Sequence, residues 1–527
     1  MGHVFVEQAG GVEPQQLSGY RTGYAGLLGM IQGWNPRQEM LQVSEFRVRK
    51  CNEARPNPQG DFVIYWMIAS RRTQWNYGLQ RSVEWALNLG KPLVVLEALR
   101  CGYRWASDRI HRFIMEGMRD NARKLSASEA FYYPYLEPEK DAGKGLLKAL
   151  SAHACCVVTD DFPCFFLPRM VGAAARQVNV LLEAVDSNGI LPIRWSDRVF
   201  ATAFSFRRFL QKNLEPVIQA FPERDPVHEV EVPKLRGLPL DITDRWPPAH
   251  GRISEITTEY LKAFPIDHTV KSSHIRGGPK AATERLGEFL DSYLKDYAGS
   301  RNHPDMDCTS GLSPYLHFGH ISVYQVFTEL MDREDWSVTM LAAKATGKRS
   351  GWWRVGESAE AFLDQLITWR EIGYNMCTHR SDYHQYESLP DWARQTLEAH
   401  ESDPRPYRYS LERLELADTH DEIWNAAQRQ LVREGRLHTY LRMLWGKKIL
   451  EWSPSAQVAL ERMVELNNKY ALDGRNPNSY SGILWVLGRY DRAWGPQRPI
   501  FGKVRYMSSE SARRKLKLSR FLERYGP

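Results

Sequence analysis

Between positions 61 and 195 the chain alternates short apolar runs with stretches of helical periodicity, and this alternation most limits what it can fold into. Phe62-Val63-Ile64-Tyr65-Trp66-Met67 is one such run. Pro92-Leu93-Val94-Val95-Leu96-Glu97-Ala98-Leu99, Ala154-Cys155-Cys156-Val157-Val158-Thr159-Asp160 and Ile190-Leu191-Pro192-Ile193 are the others. Runs without polar alternation read as strands buried on both faces. The intervening stretches near 75–89 and 109–124 read as helices. Together they predict a doubly wound parallel sheet in an α/β domain over 61–195. Residues 1–60, with Arg55-Pro56-Asn57-Pro58 near their end, read as an N-terminal extension.

Beyond 195 apolar runs become rare and helical periodicity dominates. A connector is expected over 196–254, within a Pro-rich, charged region at 222–275. An all-α domain is expected over 255–527. Helix starts are marked by Ser313-Pro314 and Ser453-Pro454, read as a capping serine followed by proline. Thr419-His420-Asp421-Glu422 fits a capping box ahead of Trp424.

The net charge of +7 is uneven: from position 501 on there are eight Lys/Arg against Glu510 and Glu523. Such a basic end suits either a polyanion partner or a solvated helix face. The seven cysteines form no paired framework and read as reduced thiols of a cytosolic chain. No apolar run reaches the ~18 residues of a membrane span. CxxC, HExxH, GxSxG and GxxxxGK[ST] patterns do not occur, so no metal site and no phosphate-binding P-loop is expected. The 17 Trp exceed what packing needs, and many stand among polar residues. Indoles in such settings stack on bases or flavins, or carry electrons.

The specific signal lies in long motifs of the helical half. Thr309-Ser310-Gly311-Leu312-Ser313-Pro314-Tyr315-Leu316-His317-Phe318-Gly319 resembles the flavin-binding signature of the photolyase/cryptochrome family. Small hydroxyl residues ahead of a helix present donors to a diphosphate. Thr419-His420-Asp421 through Gln428, His438 through Trp452, and Leu466 through Asn478 narrow the resemblance to class II DNA photolyases. Gly482-Ile483-Leu484-Trp485, Asp491 through Gly495 and Ile500 through Met507 continue it. Tyr65-Trp66-Met67 and Asp108-Arg109 carry it more loosely in the first half.

The resemblance implies an α/β domain followed by an all-α domain that binds FAD, and light-driven repair of cyclobutane pyrimidine dimers in UV-damaged DNA, double- or single-stranded. It also implies a monomeric, cytoplasmic protein, nucleoid-associated in a bacterial host. An antenna pigment, deazaflavin or folate, stays open. Thr309, Ser310, Leu312, Ser313, Arg442, Asp473 and Asn467 match cofactor-binding positions. Asn467 matches the residue facing flavin N5, where an amide can donate or accept. Trp445, Trp424 and Trp452 match an electron-transfer chain. Trp445 and Trp452, two helical turns apart, lie on one face that core packing would equally explain. Trp369, Met443, Trp485 and Trp494 match the aromatic and thioether walls around a flipped-out dimer. Gln365 stands where the family's repair enzymes carry a Glu. The Gly488-Arg489-Tyr490-Asp491 loop is one residue shorter than usual, and Thr439 and Gly446 replace Asn and Ala. These departures keep open a blue-light receptor of cryptochrome type, or a relative acting on another lesion.

Overall fold

The computed structural model describes residues 42–228 and 230–527. Six strands form one sheet in the order β1-β6-β5-β2-β3-β4. They are β1 (Val48–Lys50), β2 (Phe62–Met67), β3 (Leu93–Leu99), β4 (Phe131–Leu136), β5 (Ala154–Asp160) and β6 (Leu181–Val185). All pairings are parallel except the edge pair β1·β6. Strands β2 and β5 are buried at every position, as two covered faces require. Helices α1 (Tyr77–Leu89), α2 (Asp108–Leu125), α3 (Leu146–Ala152) and α4 (Leu167–Ala175) make the crossovers. Asn76 caps α1 by accepting from the N–H groups of Gly78 and Leu79.

The sheet departs from the sequence reading in four places. Residues 190–193 are not a strand. The N–H groups of Ile190 and Leu191 go to Glu371, that of Ile193 goes to Asp186, and the Ile190 carbonyl accepts from Arg47. Side chains satisfy a buried backbone there, so no ladder is needed. Strands β4 and β6 were not anticipated. Pro134 disguises β4, and a proline is tolerated because β4 is an edge. Glu183 disguises β6, where Arg81 and Trp85 bind its carboxylate. Strand β1 falls within the stretch read as an extension; residues 1–41 lie outside the described residues.

The second half is helical. The helices that build the site are α5 (Ser313–Phe318), α6 (Arg370–His379), α7 (Glu422–Glu434), α8 (Thr439–Trp452), α9 (Ala456–Tyr470) and α10 (Pro477–Val486). The region read as a connector carries a helix, Ala203–Asn213. Three capping expectations are corrected. Ser455, not Ser453, caps α9. Asp421, not Thr419, caps α7, while Thr419 Oγ1 donates to Asn425. Leu312 holds the cap position of α5, which frees the Ser313 hydroxyl for another partner.

Two further contacts hold the halves together. The Arg109 guanidinium of α2 donates to the Val432 carbonyl at 2.6 Å and the Tyr470 carbonyl at 2.7 Å. These lie at the C-terminal ends of α7 and α9, where a cation is favoured. Gly319 has φ +71°, and a Cβ there would meet the Ala69 carbonyl oxygen at 2.0 Å. Only glycine lets the end of α5 approach the loop after β2 so closely.

Candidate functional site

Helices α5, α8 and α9 bring three distant segments to one point. Ser313 Oγ donates to Asp473 Oδ2 at 2.9 Å. Arg442 Nη2 donates to both Asp473 oxygens, at 2.9 and 3.1 Å. Burial pushes the Asp473 carboxyl up, but the Arg442 guanidinium and the Ser313 hydroxyl outweigh it and hold it below the ordinary carboxylate range. The arginine and aspartate side chains keep 23 % and 15 % of their surface open, so the pair faces accessible space. Asn467 is buried on the last turns of α9, and its Nδ2 donates to Ser479 Oγ at 2.8 Å and Asn468 Oδ1 at 3.3 Å. Its Oδ1 takes no part in these two contacts and can accept from a further donor.

The segment ahead of α5 is held by an arginine that sequence reading missed. Arg285 donates to the Thr309 and Ser310 carbonyls, both at 2.7 Å. Leu312 is buried, Thr309 and Ser310 are half-buried and Ser313 is exposed. The loop is anchored by its backbone and by buried Leu312, while its hydroxyls meet Asp307, the Leu312 N–H and Asp473.

The three tryptophans lie in the core between α7, α8 and their neighbours. Trp445 Nε1 donates to Gln428 Oε1 at 2.8 Å, and Trp424 Nε1 donates to the Trp445 carbonyl at 3.0 Å. The Trp424 and Trp452 rings meet edge to face, with centroids 5.4 Å apart. All three are fully buried. Gly446 sits between them in sequence, and a Cβ there would meet Val486 Cγ2 at 2.6 Å. A glycine there lets α8 press against α10.

Gln365 and Trp369 lie on a π-helical segment, Asp364–Trp369, which leads into α6. Such widened turns re-aim side chains and recur at functional sites. Asp364 turns away, accepting from Arg207 Nε at 2.7 Å. Trp369 stacks on Trp485 of α10. Met443 is half-buried against the helical core. Trp494 is held separately: its Nε1 donates to Asp491 at 3.1 Å, with the Arg492 and Arg505 guanidiniums 4.5 and 4.3 Å from its ring. Lys447, also unforeseen, is buried and donates to the Val486 carbonyl; burial pushes its ammonium down to about 7.

A cavity of about 480 Å³ opens at the carboxyl ends of β2, β3 and β4, lined by Trp66, Arg71, Tyr103, Phe162, His317 and Arg475 among others. Open α/β sheets bind ligands at this end of their strands. Among the described residues no His/Cys/Asp/Glu group could hold a metal ion, and no helix is long and apolar enough to cross a membrane.

A mainly parallel sheet joined in this way to a helical half defines the photolyase/cryptochrome fold. The crystal structure of a bacterial class III photolyase from Agrobacterium tumefaciens shares it, with a TM-score of 0.63 at 17 % identity over 88 % of this chain and 86 % of that one. A deoxyribodipyrimidine photo-lyase of Methanothermobacter thermautotrophicus is 35 % identical over 479 residues, spanning 91 % of this chain and 97 % of that protein. Proteins of the same name from Oryza sativa and Potorous tridactylus are 31 % and 29 % identical, over 90 % and 98 % of this chain and 89 % and 92 % of their own lengths. No family model matches the chain. The chain belongs to the photolyase/cryptochrome family.

Proposed function

We propose that this protein is a class II-like DNA photolyase that repairs cyclobutane pyrimidine dimers in UV-damaged DNA. The observation that carries the reading is the Ser313–Asp473–Arg442 bridge beside Asn467, which unites three motif segments around accessible polar atoms. That donor set fits FAD: hydroxyls for a diphosphate, an ionised pair, and an amide acceptor for a ring N–H. Bound, reduced FAD would supply the light absorption and the electron that opens the dimer and is then returned. The chain's own residues bind, orient and exclude water. Thr309, Ser310 and Ser313 hold the cofactor's polar part. Asn467 would face the flavin ring and offer its amide oxygen to a ring N–H, which would favour the reduced form. Trp445, Trp424 and Trp452 carry electrons inward. Trp369, Met443, Trp485 and Trp494 wall the flipped lesion, with Gln365 offering its amide to a base carbonyl.

In this reading residues 61–195, with β1 added, form the antenna-type domain, 196–254 connect, and 255–527 bind flavin and DNA. The sheet-end cavity, with its flat aromatic walls, suits a planar antenna such as a deazaflavin or folate. The protein acts as a monomer in the cytoplasm. Gln365 favours a second reading, a cryptochrome-like receptor or an enzyme for another lesion, because an amide brings no charge or acidic proton to a radical anion. Purified protein should show flavin absorption, and blue light should remove dimers from irradiated DNA. Protein that neither carries nor takes up flavin refutes both readings; flavin without repair leaves the second.

A further inference from the structure

Trp336, Trp352 and Trp353 belong to neither the electron-transfer series nor the lesion walls, yet they build a defined object. Trp336 Nε1 donates to the Trp353 carbonyl at 2.8 Å, and the Trp352 and Trp353 rings meet edge to face with centroids 4.5 Å apart. The Ala342 N–H donates to the Trp352 carbonyl at 2.9 Å and so closes residues 342–352 into a loop. Buried Glu360 accepts from the N–H groups of Gly351, Trp353 and Arg354 at 2.6, 3.2 and 3.3 Å. Compact loops whose ends meet over their own packed side chains are frequently functional.

The far side of this loop is fastened to the helix Ala203–Asn213. Gly347 has φ +75°, and a Cβ there would meet Phe204 Cε2 at 3.0 Å and Arg208 Cβ at 3.1 Å. The Gly347 N–H donates to Gln211 Oε1 at 2.7 Å, and Gln211 Nε2 donates to the Lys348 carbonyl at 3.1 Å. Arg207 donates to the Gly347 carbonyl at 3.2 Å and, through Nε, to Asp364, the residue before Gln365. The loop is thus held at several points beside the candidate lesion site.

What this scaffold presents is charge. Residues 336–356 contain four Lys/Arg and no Asp/Glu, and the helix Ala203–Asn213 contains three Lys/Arg and no Asp/Glu. Arg207 is paired with Asp364. Arg208, Lys212, Lys344, Lys348, Arg349 and Arg354 are exposed, and among the described residues no carboxylate pairs with any of them. In a chain of 70 basic and 63 acidic residues, six unpaired cations on two joined elements mark a surface for a polyanion. They do not line the sheet-end cavity, and their spread over a loop and a helix suits a repeating anion better than a single small one.

We infer that this loop and helix grip the phosphate backbone of duplex DNA on one side of the lesion. The inference rests on the reading of the protein as a DNA photolyase. A double helix carries one charge per about 1.7 Å of its axis, and each cation that meets a phosphate releases condensed counterions. Phosphate contacts fix register and orientation without reading sequence. The loop and helix therefore set where the duplex lies, while Trp369, Trp485 and Gln365 meet the lesion. The three tryptophans and Glu360 hold the cations in place before DNA arrives, which lowers the ordering cost of binding.

The test uses full-length, flavin-loaded protein and fluorescence anisotropy over a range of salt, with duplexes carrying a single dimer. Lys348→Ala combined with Arg349→Ala should lower the slope of log affinity against log salt by about 1.8, or about 0.9 for each lost contact. Damaged and undamaged duplexes should weaken by the same factor. Lys348→Arg combined with Arg349→Lys, which keeps both charges, should bind as the parent does. For the parent, shortening the duplex on one side of the dimer should cost more affinity than shortening it on the other, and the double-alanine variant should lose that asymmetry. An unchanged slope in the double-alanine variant, or a parent indifferent to which side is shortened, overturns the contact and leaves the photolyase reading intact. A parent that binds damaged duplex no more tightly than undamaged overturns that reading, and the inference with it.

Discussion

Trp369 and Trp485 stack with ring centroids 4.7 Å apart and planes 23° from parallel. One comes from a π-helical turn and the other from α10, so the contact joins two elements far apart in sequence. Both indoles are half-buried, which leaves aromatic surface for a ligand. Stacking a base on such a surface is worth about 1–3 kcal/mol. Trp485→Ala should therefore weaken binding of dimer-containing DNA by roughly 5- to 100-fold. Undamaged duplex, held mainly through phosphates, should bind almost unchanged. Fluorescence anisotropy with matched damaged and undamaged oligonucleotides measures both; equal losses on the two would show that the stack is scaffolding.

Trp445→Phe should abolish light-driven flavin reduction with an external thiol while leaving the bound flavin spectrum unchanged. The replacement also strands Gln428 Oε1, which accepts from the indole in a fully buried setting. That loss should cost about 1–3 kcal/mol of stability, too little to unfold the protein. Photoreduction at the parent rate would show a bypass around Trp445.

How much of this was legible in the sequence varies with what each signal depends on. The two-part architecture followed from apolar runs such as 62–67 and 154–160, because burial on both faces leaves a local mark. The mark failed at Pro134 and Glu183, whose neighbours in space, not in sequence, make them acceptable in strands. It misled at 190–193, where Glu371 and Asp186 replace a ladder. The Arg442, Asp473 and Ser313 positions were read from the resemblance, and the structure puts them in contact. The Trp369–Trp485 stack depends on how α6 and α10 pack.

Lys447 predicts a pH dependence of stability. Burial pushes its ammonium down to about 7, with Asp491 opposing and Arg505 adding to the shift. Unfolded lysine titrates near 10.4, so between about 7 and 10.4 the unfolded chain holds more protons. Stability should then rise with pH across that window, by up to about 1.4 kcal/mol per unit. Lys447→Met, similar in volume and without the charge, should remove the rise, with its most favourable effect on stability at and below pH 7. Urea unfolding of both proteins at pH 7 and pH 9 gives the slopes; parallel slopes would assign the dependence to other groups.

Gln365 decides between repair and its rivals. It lies on the same π-helical turn as Trp369, half-buried, while its neighbour Asp364 is committed to Arg207. A carboxylate therefore cannot stand in for it from the adjacent position. If a dimer sits against the Trp369–Trp485 stack, the Gln365 amide can still donate to a thymine carbonyl, so binding should persist. A charge-assisted bond is worth about 1–3 kcal/mol against about 1 for a neutral one, and that difference acts most on the charged state of the lesion. The parent should thus bind dimers well and repair them with a low yield per photon. Gln365→Glu should raise that yield several-fold with less than about a tenfold change in DNA affinity. Quantum yields from dimer-specific absorbance under blue light, set beside anisotropy titrations, read the two effects separately. A parent without repair, unrescued by Gln365→Glu, would mean that the pocket is built for another lesion or for signalling, with the flavin cradle and the tryptophan series retained.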